Sequence, residues 1–305
     1  MKNRTFTTIK CSVVSLMTVL LLLFANTASA QTNAKHRSTP KATPKTAAAA
    51  LNELQLQAGD SACLQRIIAY QGRLSATDTQ PNAIRTMFRA LERHPFAVHA
   101  DVRLTSDDKL ILYASDVMEG LYIPDSPYQL LADHPAFREA AVPLLKEYLI
   151  KGLQRLSRQE YSSTSILLEI HPGGNGEYGI RLADQLADLL LSLGDMDAQK
   201  HVIIASPDFT QCELLRRRLS HVRILYQGSD MEPDKLLQAG MSGLYCDMKA
   251  YYQHPDWAVV EGDKNFLTAV QPVRNEGDWA KLMSFGVRYM ATDDAARLIS
   301  VMQKK

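Results

Sequence analysis

Cysteine is scarce in this chain, with four among 305 residues. Cys11 precedes an N-terminal apolar run, and Cys63, Cys212 and Cys246 follow without a Cys-x-x-Cys spacing. That pattern supports neither a disulfide framework nor a structural zinc site, and leaves a single bridge open in an oxidising compartment. An excess of either charge is also missing, since 34 Lys and Arg stand against 33 Asp and Glu. Residues 1–30 hold only Lys2, Arg4 and Lys10 as charged groups, so the remainder carries a formal charge near −2. With no basic excess and no Lys/Arg run interleaved with aromatics, nucleic acid is excluded as a partner. No apolar run reaches the ~20 residues that span a bilayer, and Gly72 stands alone after the first candidate strand, which leaves a dinucleotide fingerprint without support.

What is present begins with a leader. Lys2, Arg4 and Lys10 precede the apolar run Val13 to Ala25, and Ala28-Ser29-Ala30 precedes Gln31. This arrangement predicts a secretory signal peptide over 1–30, cleaved near Ala30, and an exported product in the periplasm or medium. Cys11 lies before the apolar core, away from the cleavage site, which argues against a lipid anchor. Residues 31–50 are Lys, Thr, Pro, Ala and Ser with little to bury, and predict a flexible linker. Leu51 to about Leu64 has helical apolar spacing and predicts a lead-in helix over 51–65.

From 66 to 305, short apolar runs alternate with helical segments. Strands are expected at Ile67–Tyr70, Ala97–Leu104, Ser165–Ile170, His201–Ala205, Val222–Tyr226, Gly243–Cys246, Phe266–Gln271 and Val287–Ala291. Helices are expected at Ile84–Leu91, Val142–Leu156, Ile180–Leu193, Thr210–Leu219, Asp234–Leu237, Pro255–Val260, Asp278–Phe285 and Ala295–Met302. Eight β-then-α units with right-handed crossovers predict a single α/β domain, a (β/α)8 TIM barrel. An open doubly wound sheet is the alternative.

The second unit is the most informative. Ala97 to Leu104, an Asp-Asp-Lys turn and Leu110 to Tyr113 predict a hairpin in which Val98, Ala100, Val102 and Leu104 share one face. His99 and Asp101 then lie side by side on the other. In a barrel, chemistry gathers at the carboxyl ends of the strands. There the sequence offers Tyr70-Gln71-Gly72, His99 with Asp101, Tyr113-Ala114, and Glu169-Ile170-His171-Pro172. Two carboxylates suit a hard cation, and an imidazole extends the choice toward manganese, zinc or iron. The competing reading is a salt-bridged or hydrogen-bonded plug at the barrel mouth. Other signals are weaker: Pro172 to Gly176 as a flexible loop before a helix or a phosphate cradle at its N-terminus, Arg216-Arg217-Arg218 as a solvated outer helix face or an anion site, and Ser115 to Ala140 as a lid or an ordered connection.

These motifs resemble the glycerophosphodiester phosphodiesterase family. That family opens with Ile-Ala-His-Arg-Gly, continues through Pro-Glu-Asn-Thr and Glu-x-Asp-Val-x-Leu-Thr-x-Asp-Gly to a His-Asp pair, and later has Glu-Ile-Lys-Pro. Here the frame reads Ile68-Ala69-Tyr70-Gln71-Gly72, Pro81-Asn82-Ala83-Ile84, His99-Ala100-Asp101-Val102-Arg103-Leu104-Thr105-Ser106-Asp107-Asp108 and Glu169-Ile170-His171-Pro172. The closing region is similar in Val270-Gln271-Pro272-Val273 and Asn275-Glu276-Gly277-Asp278. The resemblance covers about residues 66–302.

It implies a TIM barrel, a phosphoric diester hydrolase class acting in lipid and glycerophosphodiester metabolism, and a divalent ion, calcium or magnesium first and manganese or zinc next. By position, His99, Asp101 and Glu169 would hold the ion, with His99 replacing the family's first Glu. The family's acid/base histidines fall at Tyr70 and at Ala114 or Tyr113, its phosphate-binding Arg at Gln71, its Pro-Glu-Asn-Thr glutamate at Asn82, and its Glu-Ile-Lys lysine at His171. A rearranged mechanism would use His99 or His171 as base with Tyr70 or Tyr113 as acid, with Gln71, Asn82 and Lys249 on the substrate. Tyr is a poor base near neutrality, and a lost cation removes stabilisation of developing charge. Two functions are therefore expected: an exported phosphodiester hydrolase of reduced or altered activity acting on a small phosphodiester, or a catalytically inactive relative that binds a ligand or partner, with no ion required.

Overall fold

The computed structural model describes residues 64–73, 75, 78–194, 199–259, 266–295 and 298. The leader, the linker and nearly all of the lead-in helix lie outside the described residues, as does Cys63.

Eight parallel strands close on themselves. In order round the barrel they are β1 (Ile67–Ala69), β2 (Ala97–Leu104), β6 (Ser165–Ile170), β7 (Val202–Ser206), β8 (Arg223–Tyr226), β9 (Gly243–Cys246), β10 (Leu267–Val270) and β11 (Tyr289–Thr292). Closure is direct, since β1 pairs in parallel with both β11 and β2. β3 (Leu110–Leu112) pairs antiparallel with the end of β2, forming the expected hairpin. The chain is a (β/α)8 TIM barrel.

Burial explains why these segments read so strongly. All eight residues of β2 are buried, because one face meets the helices and the other lines the barrel. Ile68, Ala97, Leu167, Ile203, Ala205, Leu225, Tyr245, Leu267, Ala269 and Ala291 pack inside the barrel, while Val98, Ala100, Val102, Ile166 and Leu168 join the larger cluster outside it. The floor is filled by Phe96 stacked on Tyr289, with Arg223 over the Phe96 ring and donating to Ser165 Oγ. At Gly243 a β-carbon would be driven into the Leu267 carbonyl oxygen and would meet Leu225 Cδ2 at 2.8 Å, so only glycine fits.

Several boundaries differ from the sequence reading. β1 ends at Ala69, because Tyr70–Gly72 form a 3-10 turn in which Gln71 and Gly72 take positive φ. The helix expected from Val142 begins at Leu145, since its cap Leu144 is extended and the Pro143 carbonyl accepts from Leu112 N. The helix expected from Ile180 begins at Gly176, where Asn175 caps Tyr178 N. Met248–Gln253 is an α-helix the sequence reading did not include, capped by Asp247, and Pro255–Val259 is 3-10. Ala295 to Met302 lies largely outside the described residues.

The segment after β3 is ordered. A small hairpin, β4 (Val117–Met118) with β5 (Leu121–Tyr122), leads to two short helices, Tyr128–Asp133 and Pro135–Glu139. Pro127 and Pro135 start these helices, because a helix's first turn tolerates a missing N–H. Ile111, Met118, Ile123, Leu131 and Phe137 give the segment its own core. It is tied to the β2–β3 hairpin by Arg103 Nε to Asp116 Oδ1 at 2.5 Å and by Ser106 N to Ser126 O at 3.0 Å. The three arginines 216–218 spread around their helix as expected: Arg216 closes on the Val222 and Leu219 carbonyls, Arg217 pairs with Glu213, and Arg218 pairs with Asp184 and Asp188.

Candidate polar centre at the barrel mouth

β2 and β6 run side by side in a register that sets Asp101 opposite Glu169 and His99 opposite Leu167. Alternation turns His99, Asp101 and Glu169 into the barrel, and all three are buried. Each offers a ligand atom within 4.8 Å of the others, so this buried triad is compact enough to hold one metal ion.

The partners of each atom define the centre. His99 Nε2 lies 2.8 Å from Glu169 Oε2, and His99 Nδ1 accepts from the Gln71 backbone N–H at 3.2 Å. A ring nitrogen that accepts carries no proton, so the proton is on Nε2 and is donated to Glu169. Asp101 Oδ2 accepts from Gln71 Nε2 at 3.0 Å and from Asn82 Nδ2 at 2.9 Å, while Asn82 Oδ1 accepts from Asp101 N at 3.1 Å. Glu169 Oε1 accepts from Gln227 Nε2 at 3.0 Å. His171 Nε2 sits between the two carboxylates, 3.4 Å from Asp101 Oδ1 and 3.2 Å from Glu169 Oε1. These are ion-pair distances, and neither contact is aligned as a hydrogen bond.

The backbone is bent to make this possible. Gln71 and Asn82 both hold positive φ, 56° and 63°, without being glycine, a conformation that costs energy and gathers where structure is specialised. Asn82 N donates to Gln71 O at 2.9 Å, so the two strained residues brace each other while both amides converge on Asp101.

Electrostatics follow from burial and these partners. Burial alone pushes the Asp101 and Glu169 carboxyls up, yet the His171 and His99 rings, with Asn82 on Asp101, hold both below the usual carboxylate range, Glu169 well below. Burial pushes the His171 ring down, and the two carboxylates more than offset it, so its pKa is raised. Tyr70 stacks on His99 with ring centroids 4.5 Å apart, and burial with the Asp101 and Glu169 charges raises its hydroxyl well above the ordinary phenol. Tyr245 also lies near His99, its ring tilted with centroids 6.3 Å apart and its hydroxyl buried without a hydrogen-bond partner among the described residues.

Of the residues singled out by sequence, His99, Asp101, Glu169, His171, Tyr70, Gln71 and Asn82 come together. Gln71 and Asn82 direct their amides at Asp101. Tyr113 touches the centre through its backbone, donating to Asp101 O at 3.1 Å, while its ring packs on the core of the segment after β3. Lys249 is exposed in the first turn of Met248–Gln253, with no hydrogen bond or ion pair to the cluster. Gln227 and Tyr245 complete the centre. Gln227 was not anticipated, although it is the first residue past a barrel strand, the same position that Tyr70 and His171 occupy.

No protein-family model matches the chain, and no curated protein sequence does. Solved structures do match. A glycerophosphodiester phosphodiesterase from Parabacteroides distasonis superposes with a TM-score of 0.69 at 20% identity, covering 78% of this chain and 96% of that one. An Oleispira antarctica phosphodiesterase, in complex with the product sn-glycerol-3-phosphate, gives 0.62 at 14% identity, covering 78% and 97%. A glycerophosphodiester phosphodiesterase from Thermotoga maritima gives 0.58 at 17% identity, covering 77% and 97%. At these identities the likeness is one of fold.

Proposed function

We propose that this chain is an exported relative of the glycerophosphodiester phosphodiesterases that has given up their usual hydrolysis and uses the barrel mouth to bind a small phosphodiester or related ligand. Two things support the kinship: a barrel superposable on several such enzymes over nearly their whole length, and the ordered motifs from Ile68 to Asn275. The N-terminal leader supports export. No helix among the described residues is long and apolar enough to cross a membrane.

The observation that carries the loss of hydrolysis is Tyr70. Phosphodiester cleavage needs a base for the nucleophile and an acid for the leaving oxygen, each worth about 10²–10⁴-fold. Tyr70 occupies the position of one family histidine, and its hydroxyl is held protonated by burial and two nearby carboxylates. The other position falls at Ala114, which has no titratable group, or at Tyr113, whose ring lies in a separate core. The family's phosphate-binding arginine is Gln71, and its amide is spent on Asp101.

A second reading keeps an altered hydrolase, and His171 is what favours it. Its side chain is 27% exposed, although Nε2 is buried against the carboxylates, and those carboxylates favour its protonated form, which makes it a proton source at the mouth. That reading requires a divalent ion, calcium or magnesium by the resemblance, on His99, Asp101 and Glu169.

Incubating the purified protein with glycerophosphodiesters, with and without calcium, magnesium, manganese or zinc, separates the two. The expected result is no release of glycerol phosphate above the blank. Robust metal-dependent release, abolished by Asp101→Ala, overturns the proposal.

A further inference from the structure

We propose that the His99–Asp101–Glu169 centre is closed by the protein's own donors and binds no divalent ion, the His171 ring filling the place between the two carboxylates. The triad passes the test of distance and fails the test of donor chemistry.

A metal needs lone pairs, and three of the four carboxylate oxygens here already accept an N–H. Asp101 Oδ2 already accepts two amide N–H groups, from Gln71 and Asn82. The Asn82 amide does not turn away at no cost. Asn82 is oriented by its own Oδ1, which must accept from Asp101 N. Gln71 is carried on a left-handed turn that also aims its backbone N–H at His99. Glu169 Oε2 takes the His99 proton, and Oε1 takes Gln227. The remaining carboxylate oxygen, Asp101 Oδ1, faces His171 Nε2, which approaches Glu169 Oε1 as well.

His99 is the decisive residue. To ligate through Nε2, the nitrogen that faces Glu169, its proton would have to move to Nδ1. There it would meet the Gln71 N–H, a backbone donor that cannot be inverted into an acceptor. In imidazole-ligated metal sites the distal nitrogen donates to an acceptor, which fixes the metal-binding tautomer. Gln71 imposes the opposite one. Hard cations such as calcium also want six or more oxygen ligands, and this pocket supplies two carboxylates, three of whose four oxygens already accept an N–H.

The proposal stands apart from the question of hydrolysis, because its test reads binding. The purified protein is stripped with a chelator and titrated to millimolar calcium, magnesium, manganese and zinc while its melting temperature is followed. Manganese broadening of the histidine ring signals is recorded in parallel by NMR. An ion present at a hundred times its dissociation constant would raise the melting temperature by about 5–10 °C. The expected result is no saturable rise and no selective broadening of His99 or His171. A response that survives Asp101→Asn arises elsewhere on the protein and agrees with the proposal. A saturable rise or selective broadening that Asp101→Asn removes overturns it.

Discussion

Glu169→Ala, measured in chelator, is expected to lower the stability of the protein by about 3–5 kcal/mol, the range for removing one partner from a buried charged pair. Denaturant unfolding with a parallel thermal melt checks it. The side chain is buried, and three groups converge on it: the His99 Nε2–H, the Gln227 amide and the His171 ring. Truncation leaves the first two without acceptors and His171 with one carboxylate instead of two. Glu169→Gln should cost less, because an amide oxygen still accepts from His99. The sign of the effect is informative. In a metal centre stripped of its ion, Asp101 and Glu169 would repel across the strand register, and removing one would leave stability unchanged or raise it.

Gly243→Ala is expected to cost at least about 3 kcal/mol, at the upper end of overpacking effects, and to reduce the yield of folded protein. Circular dichroism melts and soluble yield measure it. The added methyl has nowhere to go, because the Leu267 carbonyl is backbone and belongs to the β9–β10 pairing. Relief would require those strands to part, and with them the ring that Tyr245 presents to His99. A variant that melts like the parent would mean that the barrel is not closed as described.

The barrel was legible because parallel strands buried on both faces read as short apolar runs, and each of the eight barrel strands stood out between helical spacings. The pairing of His99 with Asp101 was legible from alternation alone. The sequence alone left open what that polar face meets, since a two-residue period is the same whether a strand looks into solvent or into a barrel. The register of β2 against β6 brings Glu169 opposite Asp101, and register is a long-range property. The amides that close the centre were less legible still. Gln71 and Asn82 read as positions where family residues are replaced and as substrate contacts, and their role on Asp101 depends on positive φ angles that nothing in a glutamine or an asparagine announces. Gln227 was invisible, because one glutamine after one apolar run resembles any loop residue. Tyr113 stood at the hairpin end as expected, but the core that captures its ring is built from residues up to Phe137, beyond the reach of local pattern.

The most direct test is the protonation pattern of the His99 ring, read from imidazole nitrogen NMR shifts and assigned by the loss of the signal in His99→Gln. A neutral ring with its proton on Nε2 and a hydrogen-bonded, unprotonated Nδ1, unchanged by added calcium or magnesium, is the predicted result. A ring protonated on Nδ1 with a bare Nε2 toward Glu169 would show a metal-ready centre and contradict the account.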